Sequence, residues 1–356
     1  MTAPFVRRGG RRRPPPPSIR RATVDDLVAC THVWRDALAD YLARLNQPTV
    51  AGDLDPVRRL LAHLLATDPT TFWVATRPAS GGADPGEARG ANDERVVGFA
   101  SANVRGQAWF LAMLFVEPHE QARGLGAALL ERSLPEGRHP WRDGEIDVDD
   151  DGASATQWTF GTATDSAQPI SNALYARLGL VPRVPVLHLV GVPTRPAALP
   201  ALPPEIDAVA FDALPFGAPG GDRPPVVARA VDAIDRELLG YEHPEDHGYL
   251  RRERRIGVLY RERDGTPVAY GYTSRVGRLG PVAVRRAGLM PAVLGHLLGV
   301  VRPAGAFSVW VPGAAAPTIA GLLGAGFRLE AFPALHCWDR PSVDVSRYIP
   351  ITLALL

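Results

Sequence analysis

The chain has 356 residues, 46% of them hydrophobic and 22% charged, which excludes a peptide, a disulfide mini-protein and a fibrous or low-complexity chain. At about 150 residues per domain it predicts two domains, each able to bury a core. The formal net charge is +1, but Arg7, Arg8, Arg11, Arg12 and Arg13 fall in an acid-free start, so the remainder is mildly acidic. Such a body offers no basic face to a phosphate backbone, and no nucleic-acid partner is expected.

All 39 basic residues are arginine, so no lysine amine can serve in catalysis. Cys30 and Cys337 form no CxxC pair, which leaves neither a thiolate zinc site nor a disulfide framework and fits a reducing cytoplasm. No apolar run reaches about 18 residues, so no membrane span is expected. The basic start runs into Pro14 to Pro17 without an apolar stretch, unlike a secretory signal.

Residues 1–17, rich in Arg, Gly and Pro, are expected to be disordered. A strand then starts at Ser18, Thr23 suits a helix N-cap, and Leu27, Val28, Val33, Leu38, Tyr41, Leu42 and Leu45 recur at helical spacing. Thr71 to Thr76 and Val96 to Val104 read as a hairpin with a long loop, Ala79 to Glu94. Trp109 to Val116 is a continuous apolar run, the pattern of a buried central strand, and helical spacing resumes at Gly126. After a polar loop, Arg138 to Thr156, come a strand (Gln157 to Ala163), a short helix from Pro169 to Gly179 and a strand, Val184 to Val190.

Gly191 to Pro204 carries five prolines, which deny it helix and ladder hydrogen bonds, and places a linker at 192–204 between domains 18–191 and 205–356. Beyond it, Val227, Val231, Ile234 and Leu238 mark an amphipathic helix ending at Gly240. Strands at Ile256 to Arg261 and Pro267 to Ser274, a helix at Leu289 to Val301 and a helix at Pro317 to Ala325 followed by a strand repeat the plan of the first half, as an internal duplication would.

Between the buried strand and its helix lies Val116-x-Pro118-x-x-Gln121-x-x-Gly124-x-Gly126. The glycines allow close backbone approach, and the first N–H groups of the helix point outward at the positive end of its dipole, which makes an anion cradle. Neither GxGxxG after a first strand nor GxxxxGK is present, which excludes the dinucleotide and NTPase patterns. The turn in its setting resembles motif A of the GNAT (GCN5-related) N-acetyltransferases, with Gln121, Gly124 and Gly126 at its three defining positions. The likeness covers about residues 18–190 and includes the later segment Asn172 to Gly179.

The resemblance implies an α/β (α+β) fold of two tandem GNAT-like domains, each a mixed, mostly antiparallel central sheet flanked by helices with a splay between its two central strands. It implies that acetyl-CoA lays its pyrophosphate on the backbone of Gln121, Ala122, Arg123, Gly124, Leu125, Gly126 and Ala127. Its pantetheine arm would pair with the strand edge at Leu114, Phe115 and Val116. Arg123 either adds a charge-assisted contact or is a solvated arginine. Tyr175, four residues before Gly179, occupies the position of the acid that protonates the departing thiolate, with an aromatic packing role as the alternative. Ser171 and Asn172 either touch the cofactor or cap their helix. Glu117 lies just beyond the apolar strand, close to the turn, and is not favoured as the base, which is open between Asp36, Asp40, Tyr41, a water relay and an amine that arrives already deprotonated.

Asp147, Asp149, Asp151 and Gly152 copy half a calcium loop but meet Trp158 where the bidentate glutamate belongs, and read as a solvated acidic loop. In His243-Pro244-Glu245-Asp246-His247 the proline opposes a metal-binding helix, so the segment reads as a structural or substrate-side turn and no metal is expected. His188 and His336 read as satisfied sheet residues. The second half has no glycine motif across Gly280 to Leu289 and carries Leu322 where Tyr175 stands in the first, so it resembles a degenerate repeat. The expected function is acetyl-CoA-dependent transfer to the amine of a small molecule or peptide, by a monomer or homodimer. A non-catalytic acyl-CoA sensor and a tandem scaffold are the alternatives.

Overall fold

The computed structural model describes residues 15–48, 52–78, 94–140, 158–213, 226–330, 332–340 and 344–355. The Arg-rich start through residue 14, the loop at 79–93 and the calcium-like acidic loop lie outside them. Pro15 belongs to the described chain, and its carbonyl accepts from Arg77 Nη1 at 2.7 Å.

The first half runs β1 (Ser18–Arg21), α1 (Leu27–Arg44), α2 (Asp55–Thr67), β2 (Trp73–Pro78), β3 (Glu94–Arg105), β4 (Ala108–Val116), α3 (Leu125–Ser133), β5 (Thr159–Asp165), α4 (Pro169–Arg177) and β6 (Val181–Gly191). The second half runs β7 (Ile206–Ala210), α5 (Val226–Leu239), α6 (Pro244–Arg252), β8 (Ile256–Glu262), β9 (Pro267–Thr273), β10 (Val282–Val284) and α7 (Met290–Val300). It continues through β11 (Phe307–Pro312), α8 (Ala316–Ala325), β12 (Arg328–Leu329), β13 (Ala334–Trp338) and β14 (Tyr348–Ile349).

Local chemistry sets these elements. Before α1, the Thr23 N–H and hydroxyl both donate to Asp26 Oδ2, at 2.9 and 3.0 Å, and Arg20 clamps the same buried carboxylate at 2.8 and 2.9 Å. The carboxylate is thus fully paired despite its burial. In α5 the apolar stripe Val227, Val231, Ile234 and Leu238 is buried as its spacing predicts, and Gly240 ends the helix at φ +83°.

The strands are exchanged across the Pro-rich stretch. One sheet has the order β1-β2-β3-β4-β5-β13-β6-β11, with β12 and β13 following one another along the same edge of β6. Strand β13, from the end of the second half, is antiparallel to both β5 and β6 and fills the gap between them. The other sheet, β14-β10-β9-β8-β7, is built from the second half alone. The chain boundary expected at 192–204 is therefore not a boundary between hydrogen-bonded sheets. The core is shared as well, since Leu61, Leu64, Phe72 and Phe99 belong to one cluster with Ile234, Tyr249, Leu250 and Tyr270.

Two expectations need correction. Residues 244–252 form a helix rather than a turn, with His243 as its N-cap and Pro244 at its first position, where the missing N–H costs nothing. His188 is satisfied, its Nε2 lying 2.7 Å from Ser308 Oγ, but both ring nitrogens of the fully buried His336 lack a partner. Burial pushes that imidazole down to about 4, so it sits in the sheet as a neutral ring between Phe110 and Trp338.

Candidate active site

Strands β4 and β5 are parallel neighbours, joined through α3, and they pair only from Ala108 with Thr159 to Leu111 with Thr162. Beyond that point β4 continues to Val116 and β5 to Asp165 without pairing, so the sheet opens and leaves backbone polar groups on both lips. A cavity of about 530 Å³ fills the opening. Leu114, Phe115 and Val116 form one wall, while Thr162 to Asp165 form the other.

At the Val116 end, the turn into α3 closes the cavity. Gln121 reaches back so that its Nε2 donates to the Val116 carbonyl at 2.9 Å, tying the turn to the end of the strand. Ala122 and Gly124 adopt left-handed backbone, φ +60° and +84°, and Gly124 is the N-cap of α3. The N–H groups of Leu125, Gly126 and Ala127 open this helix and have no partners within it. Gln121, Ala122 and Gly126 line the cavity. Arg123, Gly124, Leu125 and Ala127 are not on its wall; Leu125 is buried in the core, and Arg123 Nη1 lies 3.1 Å from Glu120 Oε2. Glu120 is also clamped by Arg77 at 2.6 and 3.0 Å, and this hydrogen bonding holds its carboxyl below the usual range.

Helix α4 supplies the other side. Ser171 and Tyr175 line the cavity, and Tyr175 is only 5% exposed. Burial raises its phenol well above the ordinary tyrosine range, while the Thr162 and Ser171 hydroxyls beside it act in the opposite direction. Asn172 does not line the cavity. Its Nδ2 donates to the carbonyls of Asp165, Ser166 and Gln168, at 3.1, 3.3 and 2.8 Å, and so fixes the loop from β5 into α4.

Of the acceptor-side candidates, Asp36 pairs with Arg35 and Asp40 with Arg44, and neither lines the cavity. Tyr41 does, and its phenol is raised first by burial and then by the neighbouring carboxylate of Asp165, which also lines the cavity. Asp165 was not legible as a site residue, because at the end of a strand it reads as turn chemistry; its Oδ1 does accept from Ala167 N–H at 2.9 Å. The rim is completed by Trp34 from α1 and by Trp310, Leu353 and Ala354 from the second half. No local pattern marks these last residues, since only the strand exchange brings them here. In the second half, the connection from β10 to α7 passes through Arg285 to Leu289 without a glycine motif, and Leu322 is fully buried where a Tyr175 counterpart would stand.

The site is thus a parallel strand pair that opens beside the start of α3, with the buried Tyr175 across the gap. Residues 63–180 match the model of the acetyltransferase (GNAT) family. A crystal structure from Pyrococcus horikoshii, provisionally assigned as an acetyltransferase, is similar over 99% of this chain and 100% of its own, with TM-score 0.63 and 14% identity. A GCN5-related N-acetyltransferase from Sphaerobacter thermophilus is similar over 93% of this chain and 98% of its own, with TM-score 0.52 and 16% identity. A fungal glucosamine N-acetyltransferase region of a multi-domain β-N-acetylglucosaminidase is similar over 91% of this chain and 38% of that one, with TM-score 0.53 and 15% identity. These likenesses extend the shared fold over both halves. Among curated proteins no sequence matches. Among the described residues no helix is long and apolar enough to cross a membrane.

Proposed function

We propose that the chain is an acetyl-CoA-dependent N-acetyltransferase whose cofactor enters the opening between β4 and β5. The carrying observation is the end of strand pairing at Leu111 and Thr162 beside the Gln121 to Ala127 turn. The α3 N-terminus favours a diphosphate, and the free edge at Leu114 to Val116 offers pairing groups to the amides of the pantetheine arm. Backbone N–H groups of that edge polarise the thioester carbonyl, an oxyanion site without side chains.

The acceptor amine enters past Trp34, Trp310 and Leu353, which favour an amine carried on an apolar or aromatic body, and its nitrogen is drawn to Asp165. The neutral nitrogen attacks the carbonyl carbon, the new C–N bond replaces the C–S bond, and Tyr175 protonates the leaving sulfur. The proton lost from the nitrogen passes through solvent and restores the phenol. Acetyl transfer from acetyl-CoA across a panel of aromatic and aliphatic amines tests the reading. Product formation supports it, binding of acetyl-CoA without transfer to any amine would leave an acyl-CoA sensor, and no binding would leave a scaffold.

A further inference from the structure

Away from the cavity, the two halves meet in a buried polar cluster. From the first half, Arg105 donates to both oxygens of Asp246, at 3.1 and 3.0 Å, and to Asp68 at 2.9 Å, while His63 Nε2 lies 2.7 Å from Asp246 Oδ1. From the second half, Asp235 on α5 accepts from the Tyr270 hydroxyl, and its Oδ2 lies 2.9 Å from His247 Nε2. Among the described residues, Asp68, Asp235 and Asp246 are all buried and share one buried arginine, Arg105, so the carboxylates outnumber the fixed cation. Burial of that kind is costly unless further positive charge, a proton on an imidazole or a metal ion, joins the group.

His243 has the geometry that such a cation would explain. Its side chain is wholly buried, and neither ring nitrogen makes a hydrogen bond. Yet Nε2 lies 3.3 Å from Asp235 Oδ2 and Nδ1 lies 3.4 Å from Asp246 Oδ2, near two carboxylates but not aligned to donate to them. We propose that Asp235, His243 and His247 bind a divalent transition-metal ion, zinc by the chemistry of the set.

The donor atoms lie within 4.8 Å of one another; ligands about 2.1 Å from a tetrahedral ion sit about 3.4 Å apart, and Asp235 Oδ2 lies 3.3 Å from His243 Nε2 and 2.9 Å from His247 Nε2. Nitrogen and carboxylate donors suit zinc, and three protein ligands leave one position for water. Two of the ligands also have an outer hydrogen-bond partner: His247 Nδ1 lies 2.9 Å from the Tyr272 hydroxyl, and Asp235 Oδ1 takes the Tyr270 hydroxyl, while His243 Nδ1 faces Asp246 Oδ2 at 3.4 Å. Such partners fix ring orientation and raise ligand affinity. The proline that argues against a metal helix stands at the first position of α6, so it leaves His243 and His247 a turn apart on one face. Because Asp246 is held by Arg105 and His63, the ion would join α5 and α6 to the first half.

The test uses the full chain, stripped with a chelator and dialysed against Zn²⁺ alone, with bound metal counted by elemental analysis and Co²⁺ substitution read by its visible absorption. One ion per chain and an intense tetrahedral Co²⁺ band are expected, with uptake lost in His243→Gln and His247→Gln and weakened about tenfold in Tyr272→Phe. A folded, stripped parent chain that takes up neither ion would overturn the proposal. So would uptake unchanged in the histidine variants, or, should those not fold, unchanged affinity in Tyr272→Phe. These readouts are independent of acyl transfer.

Discussion

Trp338 packs face to face against the backbone of Gly161, its cross-strand partner, so closely that a Cβ at 161 would meet the indole at 2.3 Å. This contact seats the exchanged strand β13 against β5. Gly161→Ala is therefore expected to lower unfolding free energy by about 1–3 kcal/mol, the usual cost of overpacking. Urea denaturation of the single variant, of Trp338→Ala and of the double variant checks the assignment. The Gly161→Ala penalty should largely vanish once the indole is gone, and a penalty of equal size in both backgrounds would contradict it.

Tyr175→Phe removes the proposed acid while keeping the ring that fills the space between Ser171 and Thr162. Acetyl transfer should fall by about 10²-fold or more, with acetyl-CoA affinity measured by calorimetry essentially unchanged. The phenol is raised by burial, so its protonated form persists through and beyond the ordinary tyrosine pKa of about 10. The acid is needed protonated, so loss of rate from this group should begin only above that pH; a Tyr175-dependent limb near pH 8 would count against the role.

Gly124 is the N-cap of α3 at φ +84°, with open space where a side chain would project. Gly124→Glu adds left-handed strain of about 1–2 kcal/mol and sets a carboxylate at the proposed diphosphate site. Acetyl-CoA affinity should fall more than about tenfold, and Gly124→Ala should fall less because it carries the strain alone. Equal affinity in parent and glutamate variant would remove the site from this turn.

Asp165 brings a carboxylate into the cavity beside Tyr41. Asp165→Asn should raise the KM for an amine about tenfold, the loss of one charged hydrogen bond, with a smaller effect on the KM for acetyl-CoA. Steady-state kinetics with each substrate varied separately resolves the two.

The first-half elements were legible where burial writes a pattern. Trp109 to Val116 is apolar throughout because its strand is covered on both faces, and the glycines that let the chain turn at residues 124 and 126 punctuate its end. Tyr175 is marked in the sequence by its distance from Gly179, and it lies on the cavity wall. The partner of β13 was not legible, because Ala334 to Trp338 has the alternation of any half-buried strand and nothing in it names β5 or β6. For the same reason Trp310 and Leu353 could not be assigned to a cavity built around residues far earlier in the chain. The helix after His243 was not legible because a proline argues against a helix interior, whereas Pro244 opens this helix.

The late arrival of β13 fixes the timing of maturation. A ribosome that has completed β6 has already extruded the glycine turn, the tyrosine helix and both lips of the opening, yet two raw strand edges face each other until the last stretch is translated. The sheet of the front half thus cannot be completed ahead of the back half, and an mRNA cut short after the linker would encode a fragment with both strand edges unpaired rather than an independent domain.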